Sequence, residues 1–150
     1  MKEVDVKTEI DIKCPLDMVA AFASDPDNTT KWYVNIKSVE WKTPKPLQIG
    51  SRIAFKARFL GKDLSYVYEV IENIPNKRFV MRTADGPFPM ETTYEWERTD
   101  GLTTRMKLRN RGTPSGFSKF FAPFIASMMR KANMKDLEQI KRILETQAKV

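Results

Sequence analysis

Polar and apolar residues alternate along most of the chain before Thr113, with the two-residue period typical of half-buried β-strands. In the segment 4–12, apolar residues fall on even positions and charged residues mostly on odd positions. The same alternation recurs in the segments 51–60, 64–70, 77–83, 90–97 and 102–109, and a further strand is placed at 36–43. The sequence therefore predicts seven strands.

Short turn signals separate the later strands, at Gly61-Lys62, Pro75-Asn76, Asp85-Gly86-Pro87 and Asp100-Gly101. Links of this length join antiparallel neighbours, because a parallel pair needs a crossover of about a dozen residues or more. We therefore predict an antiparallel meander with one wet face and one apolar face.

Two short helices are predicted between the first and second strands. Pro15 is suited to a first helical turn, and an apolar stripe follows at Met18, Val19, Ala21 and Phe22. A second short turn or helix runs from Asp25-Pro26-Asp27 towards Trp32.

A long helix is predicted after Thr113-Pro114-Ser115-Gly116, over about thirty residues with helical spacing. Large apolar side chains crowd its first half, at Phe117, Phe120, Phe121, Phe124, Ile125, Met128 and Met129. Such a helix needs a large concave cover, and the sheet can provide one. Pro123 falls about ten residues after the predicted start, where we expect it to kink the helix.

The inward face of the sheet is rich in aromatic and methionine side chains, which fit either a filled core or a cavity wall. Methionines adapt to varied apolar ligands, and the tyrosine hydroxyls or Asn110 would orient such a ligand. The candidate ligand-binding residues are Phe55, Ala57, Phe59, Tyr66, Tyr68, Phe79, Met81, Met90, Tyr94, Met106, Leu108, Asn110, Phe121, Ile125 and Met128. The pattern alone leaves both interpretations open.

Length and composition fit one domain over residues 1–150, with 41% hydrophobic residues to build a core. We see no signal peptide and no stretch approaching the roughly twenty apolar residues of a membrane span. A single cysteine forms no internal disulfide, so we expect a cytoplasmic protein.

The net charge is +7, which raises the question of an anionic partner. The basic residues are dispersed and interleaved with acidic ones, so a solvated basic face is favoured over a nucleic-acid track. We predict no specific nucleic-acid partner and leave open transient contact with an anionic membrane. Monomer and homodimer also stay open.

The absence of histidine removes most enzyme mechanisms. It excludes Ser-His-Asp and Cys-His systems and His-ligated zinc, and no glycine-rich nucleotide motif is present. We predict no cofactor and no metal site. Catalysis would have to use carboxylates, tyrosines, lysines or arginines, and no catalytic residue is assigned.

Two further features have plain explanations beside functional ones. Cys14 before Pro15 fits a small buried spacer better than a reactive thiol. Asp25, Asp27 and Asn28 resemble a cation-binding loop but lack the late glutamate of an EF-hand, so helix capping is favoured.

The whole chain resembles the START-like superfamily, also called SRPBCC, and within it the bacterial polyketide cyclase/dehydrase-like branch. The resemblance is carried by the element order, the entry to the first helix at 15–19, the region of Trp32, the passage YEVIENIPNKRF at 68–79, and the ending at 135–145.

The resemblance implies an α+β helix-grip fold, in which a seven-stranded antiparallel sheet wraps around the long C-terminal helix and encloses an apolar cavity. It implies binding or transport of a small hydrophobic molecule, such as a lipid, polyketide or aromatic metabolite. The alternatives are an aromatase/cyclase-type enzyme that uses tyrosine or carboxylate groups in the same cavity, and a protein-interaction or stress-response module whose cavity is filled or vestigial.

Overall fold

The computed structural model describes residues 3–59, 61–86, 89–113 and 122–148. The elements, in chain order, are β1 (Val4–Ile12), α1 (Leu16–Ser24), a 3-10 turn (Pro26–Asn28), α2 (Thr29–Trp32), β2 (Ile36–Trp41), β3 (Arg52–Phe59), β4 (Lys62–Ile74), β5 (Arg78–Asp85), β6 (Met90–Asp100), β7 (Thr103–Gly112) and α3 (Ala122–Ala148). The predicted fold class is confirmed, since the order is one strand, short helices, six strands and a long helix.

Within the described ranges, the seven strands form one antiparallel sheet in the order β1-β7-β6-β5-β4-β3-β2. The last six strands are a meander, and β1 returns beside β7, so that Val6 lies opposite Asn110. Strand β4 is longer than the predicted segment 64–70, and its pairing with β5 shifts register at Val67/Tyr68 and at Val70/Glu72. Irregularities of this kind bend a strand and increase its twist, which suits a sheet that curls around a helix.

Helix α3 closes the core with the buried residues of its C-terminal half. Leu137, Ile140 and Leu144 are fully buried at spacings of three and four residues, the period of one helix face. They belong to the main apolar cluster with Trp32 and Trp96. Near the start of α3, Ile125 instead packs in a separate small cluster with Val4 and Val6. Between these two packed regions, polar side chains interrupt the buried face.

The outer face of β1, β7 and β6 carries a ladder of ion pairs. Arg105 bonds to Asp11 at 2.8 Å, Arg109 to Asp5 at 2.6 Å, and Arg111 to Glu91 at 3.4 Å. Lys107 lies 3.6 Å from Glu97. The basic residues of β7 are therefore accompanied by acidic residues along the strand.

The predicted apolar stripe of α1 is wrong in part. Val19 is buried and Phe22 packs partly buried against the core, as predicted, but Ala21 is exposed and Met18 is 44% exposed. The other buried residues of this helix are Ala20 and Ala23, whose small side chains let α1 approach the sheet closely.

Residues 114–121 lie outside the described residues, and Phe117, Phe120 and Phe121 lie there. The described part of this helix runs over Ala122–Ala148, with Pro123 as its second residue. The earlier helix start and the kink at Pro123 depend on residues 114–121 and stay predictions. No helix in the described part is long and apolar enough to cross a membrane.

Cys14 and the acidic loop take the plainer of their two predicted roles. Cys14 is buried, and burial raises the pKa of its thiol, which disfavours the reactive thiolate. Asp25 accepts a hydrogen bond from the Asp27 backbone N–H and caps the 3-10 turn. Asp27 bonds to Trp41 Nε1 and Lys45 Nζ, at 2.7 and 2.6 Å.

Candidate functional site

A cavity of about 170 Å³, which we call the main cavity, lies between the concave face of the sheet and the first half of α3. Strands β2 to β7, helices α2 and α3, and the segment between α2 and β2 supply its lining. It lies in the region between the two packed parts of α3, where the apolar clusters leave space. The strands place alternate side chains on this wall because successive residues point to opposite faces.

Most of the sequence-predicted site residues come together on this wall. Those that line the cavity are Phe55, Ala57, Phe59, Tyr66, Tyr68, Met81, Met90, Tyr94, Asn110 and Ile125. They come from five strands and from α3, so that no short motif contains the site.

The remaining predicted residues are not on the wall. Phe79, Met106 and Leu108 are at most 1% exposed and belong to the main core cluster, in which Phe79 stacks on Tyr94 with ring centroids 5.8 Å apart. Met128 lines a neighbouring recess. Phe121 lies outside the described residues. Alternation thus identifies the inward face, but the part of that face that is core depends on where the helices cover it.

Sequence reasoning missed the lining residues outside the strand pattern and several within it, namely Thr29, Tyr33, Asn35, Ile36, Lys62, Leu64, Thr92, Met129, Ala132, Asn133 and Asp136. The missed signal on α3 is specific. Asn133 and Asp136 are polar but occupy the helix face that also carries Met129 and Ile140. Polar residues on a buried helix stripe indicate either a hydrogen-bonded core or a site.

A chain of three polar side chains links β6, β7 and α3 at the cavity. Thr92 Oγ1 donates to Asn110 Oδ1 at 2.5 Å, and Asn110 Nδ2 donates to Asn133 Oδ1 at 3.2 Å. All three residues are at most 8% exposed. Asn133 Nδ2 is buried and has no hydrogen-bond partner among the described residues. A buried donor without a partner costs about 1–3 kcal/mol, so an acceptor that reached it would be favoured.

Asp136 lies one helical turn after Asn133 and fixes the segment after α2. Its Oδ1 accepts a hydrogen bond of 2.8 Å from the Val34 backbone N–H. Burial raises the pKa of Asp136 to about 7, although the Val34 hydrogen bond opposes this shift. The carboxyl therefore changes charge near neutral pH.

The tyrosines of the wall stay protonated and can donate hydrogen bonds. The hydroxyls of Tyr33 and Tyr94 share a hydrogen bond of 2.5 Å, and burial raises the pKa of both. Burial also raises the pKa of Tyr68, and it raises that of Tyr66 to about 12. The arrangement can hold an apolar molecule and give polar contacts to a carbonyl or hydroxyl group.

A second cavity, the basic recess, adjoins the first. It measures about 270 Å³ and is lined by Val34, Asn35, Arg58, Phe59, Met128, Lys131, Ala132 and Lys135. Three of these residues, Asn35, Phe59 and Ala132, also line the main cavity. In the part of the chain that the structure describes, no cluster of acidic residues and cysteine is placed to hold a metal ion.

The chain belongs to the family described as polyketide cyclase / dehydrase and lipid transport, whose model matches residues 3–145. This agrees with the START-like resemblance of the sequence. A comparison with curated proteins finds no significant match.

Solved structures share the fold at low sequence identity. A START superfamily protein from Mycobacterium smegmatis has a TM-score of 0.82 at 11% identity, with 95% of this chain and 97% of that chain covered. The Zhui aromatase/cyclase from a Streptomyces species has a TM-score of 0.81 at 14% identity, covering 98% and 96%. A Thermus thermophilus protein has a TM-score of 0.79 at 20% identity, covering 92% and 94%. At these identities the similarity establishes the fold.

Proposed function

We propose that this protein binds or transports a small hydrophobic molecule in the main cavity. The observation that carries the proposal is a cavity with largely apolar walls and a polar cluster on one side. Phe55, Phe59, Leu64, Met81 and Met129 are among the apolar lining residues. The polar cluster consists of Thr92, Asn110, Asn133 and the Tyr33–Tyr94 hydroxyl pair.

The expected driving force is removal of apolar surface from water, at about 25 cal/mol for each Å² buried. Three methionines on the wall, Met81, Met90 and Met129, allow it to adapt to ligands of different shape. Asn133 Nδ2, which has no partner within the described ranges, favours a ligand that carries an acceptor. A lipid, polyketide or aromatic metabolite with a carbonyl or hydroxyl group has this chemistry.

The experiment that tests this function is denaturing extraction of purified protein followed by mass spectrometry, together with titration by the neutral apolar fluorophore N-phenyl-naphthylamine. We expect saturable binding of one fluorophore per chain and displacement by the extracted molecule. Absence of saturable binding, with no apolar molecule recovered, would contradict the proposal.

A second candidate is an aromatase/cyclase-type enzyme, which one observation favours. Asp136 lines the cavity and has a pKa of about 7, which suits a group that takes and returns protons near neutral pH. Incubation with a synthetic poly-β-ketone thioester would test this, with loss of water followed by mass spectrometry. An enzyme of this type should form the dehydrated product, and Asp136→Asn should bind the substrate without forming it. Equal product yield with the variant, or with buffer alone, would exclude the role.

A further inference from the structure

The basic recess is formed where α3 passes the end of β3 and the segment after α2. One face of α3 lines the recess with four residues at helical spacings of three, one and three, namely Met128, Lys131, Ala132 and Lys135. Arg58 contributes from β3. The recess therefore has three cationic side chains around a floor that includes Val34, Phe59 and Met128.

The charge of this recess is not balanced by the residues that line it. No carboxylate belongs to its described lining. Arg58 pairs with Asp63 at 3.2 Å, an exposed pair in high dielectric. Lys131 and Lys135 form no ion pair within the described ranges, and like charges four residues apart on a helix repel each other. An anion in the recess would relieve this repulsion.

We propose that the ligand of the main cavity is an amphipathic molecule, with its apolar body in the cavity and an anionic group in the basic recess. This inference rests on the proposed function and narrows its ligand class to molecules that carry a carboxylate, sulfonate or phosphate group. The two spaces adjoin along Asn35, Phe59 and Ala132, so one molecule can reach both.

The charged residues beside the two spaces indicate how an anionic ligand would be oriented. At the inner side, Asp136 is buried and becomes negative as pH rises through about 7, so an anionic group there would meet a like charge. In the recess, an anionic group meets Lys131 and Lys135 and keeps part of its hydration because both lysines are exposed. The ligand is therefore oriented with its neutral acceptor towards Asn133 and its anion towards the lysines.

The test uses two probes that share a ring system and differ in charge. Anilinonaphthalene sulfonate carries an anionic sulfonate, and N-phenyl-naphthylamine lacks it. Both are titrated into wild type, into the double variant Lys131→Gln/Lys135→Gln, and into Arg130→Gln/Arg142→Gln. The last variant is a matched control because it removes two exposed charges from the same helix without touching either cavity.

We expect the lysine variant to weaken sulfonate binding about threefold to tenfold, on the scale of two partly exposed ion pairs, and to leave binding of the neutral probe unchanged. The control should change neither affinity. Added salt should reduce the difference between wild type and the lysine variant, because it screens the lysines.

Several results would overturn the inference. Equal loss of both probes in the lysine variant would show a structural effect, and no loss of either would show that the lysines do not contact the anion. Ala57→Phe places a larger side chain in the main cavity. If inorganic phosphate displaces the sulfonate at constant ionic strength and still binds to Ala57→Phe, the recess is a free-anion site. Lysine-dependent binding to phosphatidylglycerol vesicles with unchanged sulfonate affinity would assign the lysines to a membrane surface.

The neutral probe separates this inference from the proposed function. If it binds wild type and the charged probe shows no lysine dependence, the function stands and the anionic ligand class is wrong. If neither probe binds wild type and extraction recovers no apolar molecule, both the function and the inference are wrong.

Discussion

Asn133 and Asp136 are polar residues on the face of α3 that the sheet covers, and each has a different consequence. Asn133 ends the chain from Thr92 through Asn110, and its Nδ2 has no partner in the part of the chain that the structure describes. Asp136 holds the segment after α2 through Val34 and changes charge near neutral pH. The first bears on the proposed recognition of a ligand, and the second couples the cavity wall to pH.

Asp136 should make stability depend on pH. Its pKa rises from 3.8 to about 7 on folding, so the folded state binds this proton more tightly than the unfolded state does. The resulting stabilisation is fully present below about pH 4 and is lost as pH rises through about 7. Asp136→Asn keeps an acceptor for the Val34 N–H and removes the titration.

Urea denaturation of wild type and Asp136→Asn at about pH 5 and about pH 8 would measure this effect. Relative to the variant, wild type should lose about 2–3 kcal/mol of unfolding free energy between the two pH values. Parallel pH profiles for the two proteins would show that the carboxyl does not titrate in this range.

Thr92→Val tests whether the polar chain stabilises the fold. Valine has a similar shape but cannot donate to Asn110 Oδ1, so a buried acceptor loses its partner. We expect a loss of about 1–3 kcal/mol in the free energy of unfolding. Thr93→Val is the control, because Thr93 is buried on the same strand but lines no cavity; an equal loss there would attribute the effect to strand packing.

At the scale of elements, the sequence predicts more about the strands than about the helices. The two-residue period identified the strands and their inward faces, because successive side chains in a strand point to opposite faces of the sheet. It did not predict the length of β4, because the register shift between Val70 and Glu72 interrupts the alternation beyond the predicted segment 64–70. The error in the predicted buried face of α1 has a different cause. Ala20 and Ala23 carry little hydrophobic signal in the sequence, but their small side chains allow close packing.

The lining of the cavity could be predicted only in part, because it depends on how α3 crosses the sheet. Phe55 and Phe79 are both inward aromatic residues, but one lines the cavity and the other is in the packed core. Which of them meets empty space depends on the path of α3 across the sheet, and no local pattern encodes that path. Asn133 and Asp136 were the available signal, as polar residues within an apolar helical stripe.

A substitution in β3 tests directly whether the space that this strand faces is a cavity or a packed core. Ala57 lies between two inward phenylalanines and lines the cavity. Ala57→Phe should fill part of the cavity, abolish binding of N-phenyl-naphthylamine and leave the melting temperature nearly unchanged. In a filled core, the same change would overpack and cost about 1–3 kcal/mol.

Ala54→Phe on the same strand is the matched control, because alternation turns it away from the cavity. It should bind the probe as wild type does. Strong destabilisation by Ala57→Phe, together with no probe binding to wild type, would instead favour a solid core.

At the scale of the whole molecule, which carries a net charge of +7, two basic surfaces differ in their pairing with acidic residues. On the outer face of the sheet, arginines 105, 109 and 111 each pair with an acidic residue. Beside the main cavity, Lys131 and Lys135 line a recess without a carboxylate in its described lining. The position of the basic residues, and not the net charge, is therefore what supports the proposed anionic end of the ligand.

The methionine methyl groups provide the most direct measurement of the central claim, which is that a hydrophobic molecule enters the main cavity. In methyl NMR spectra of the protein with one equivalent of N-phenyl-naphthylamine, we predict contacts from the probe to Met81, Met90 and Met129, which line the cavity. Met106 in the packed core and the exposed Met18 should show none. Contacts confined to Met18, or no contacts at a saturating probe concentration, would contradict the account.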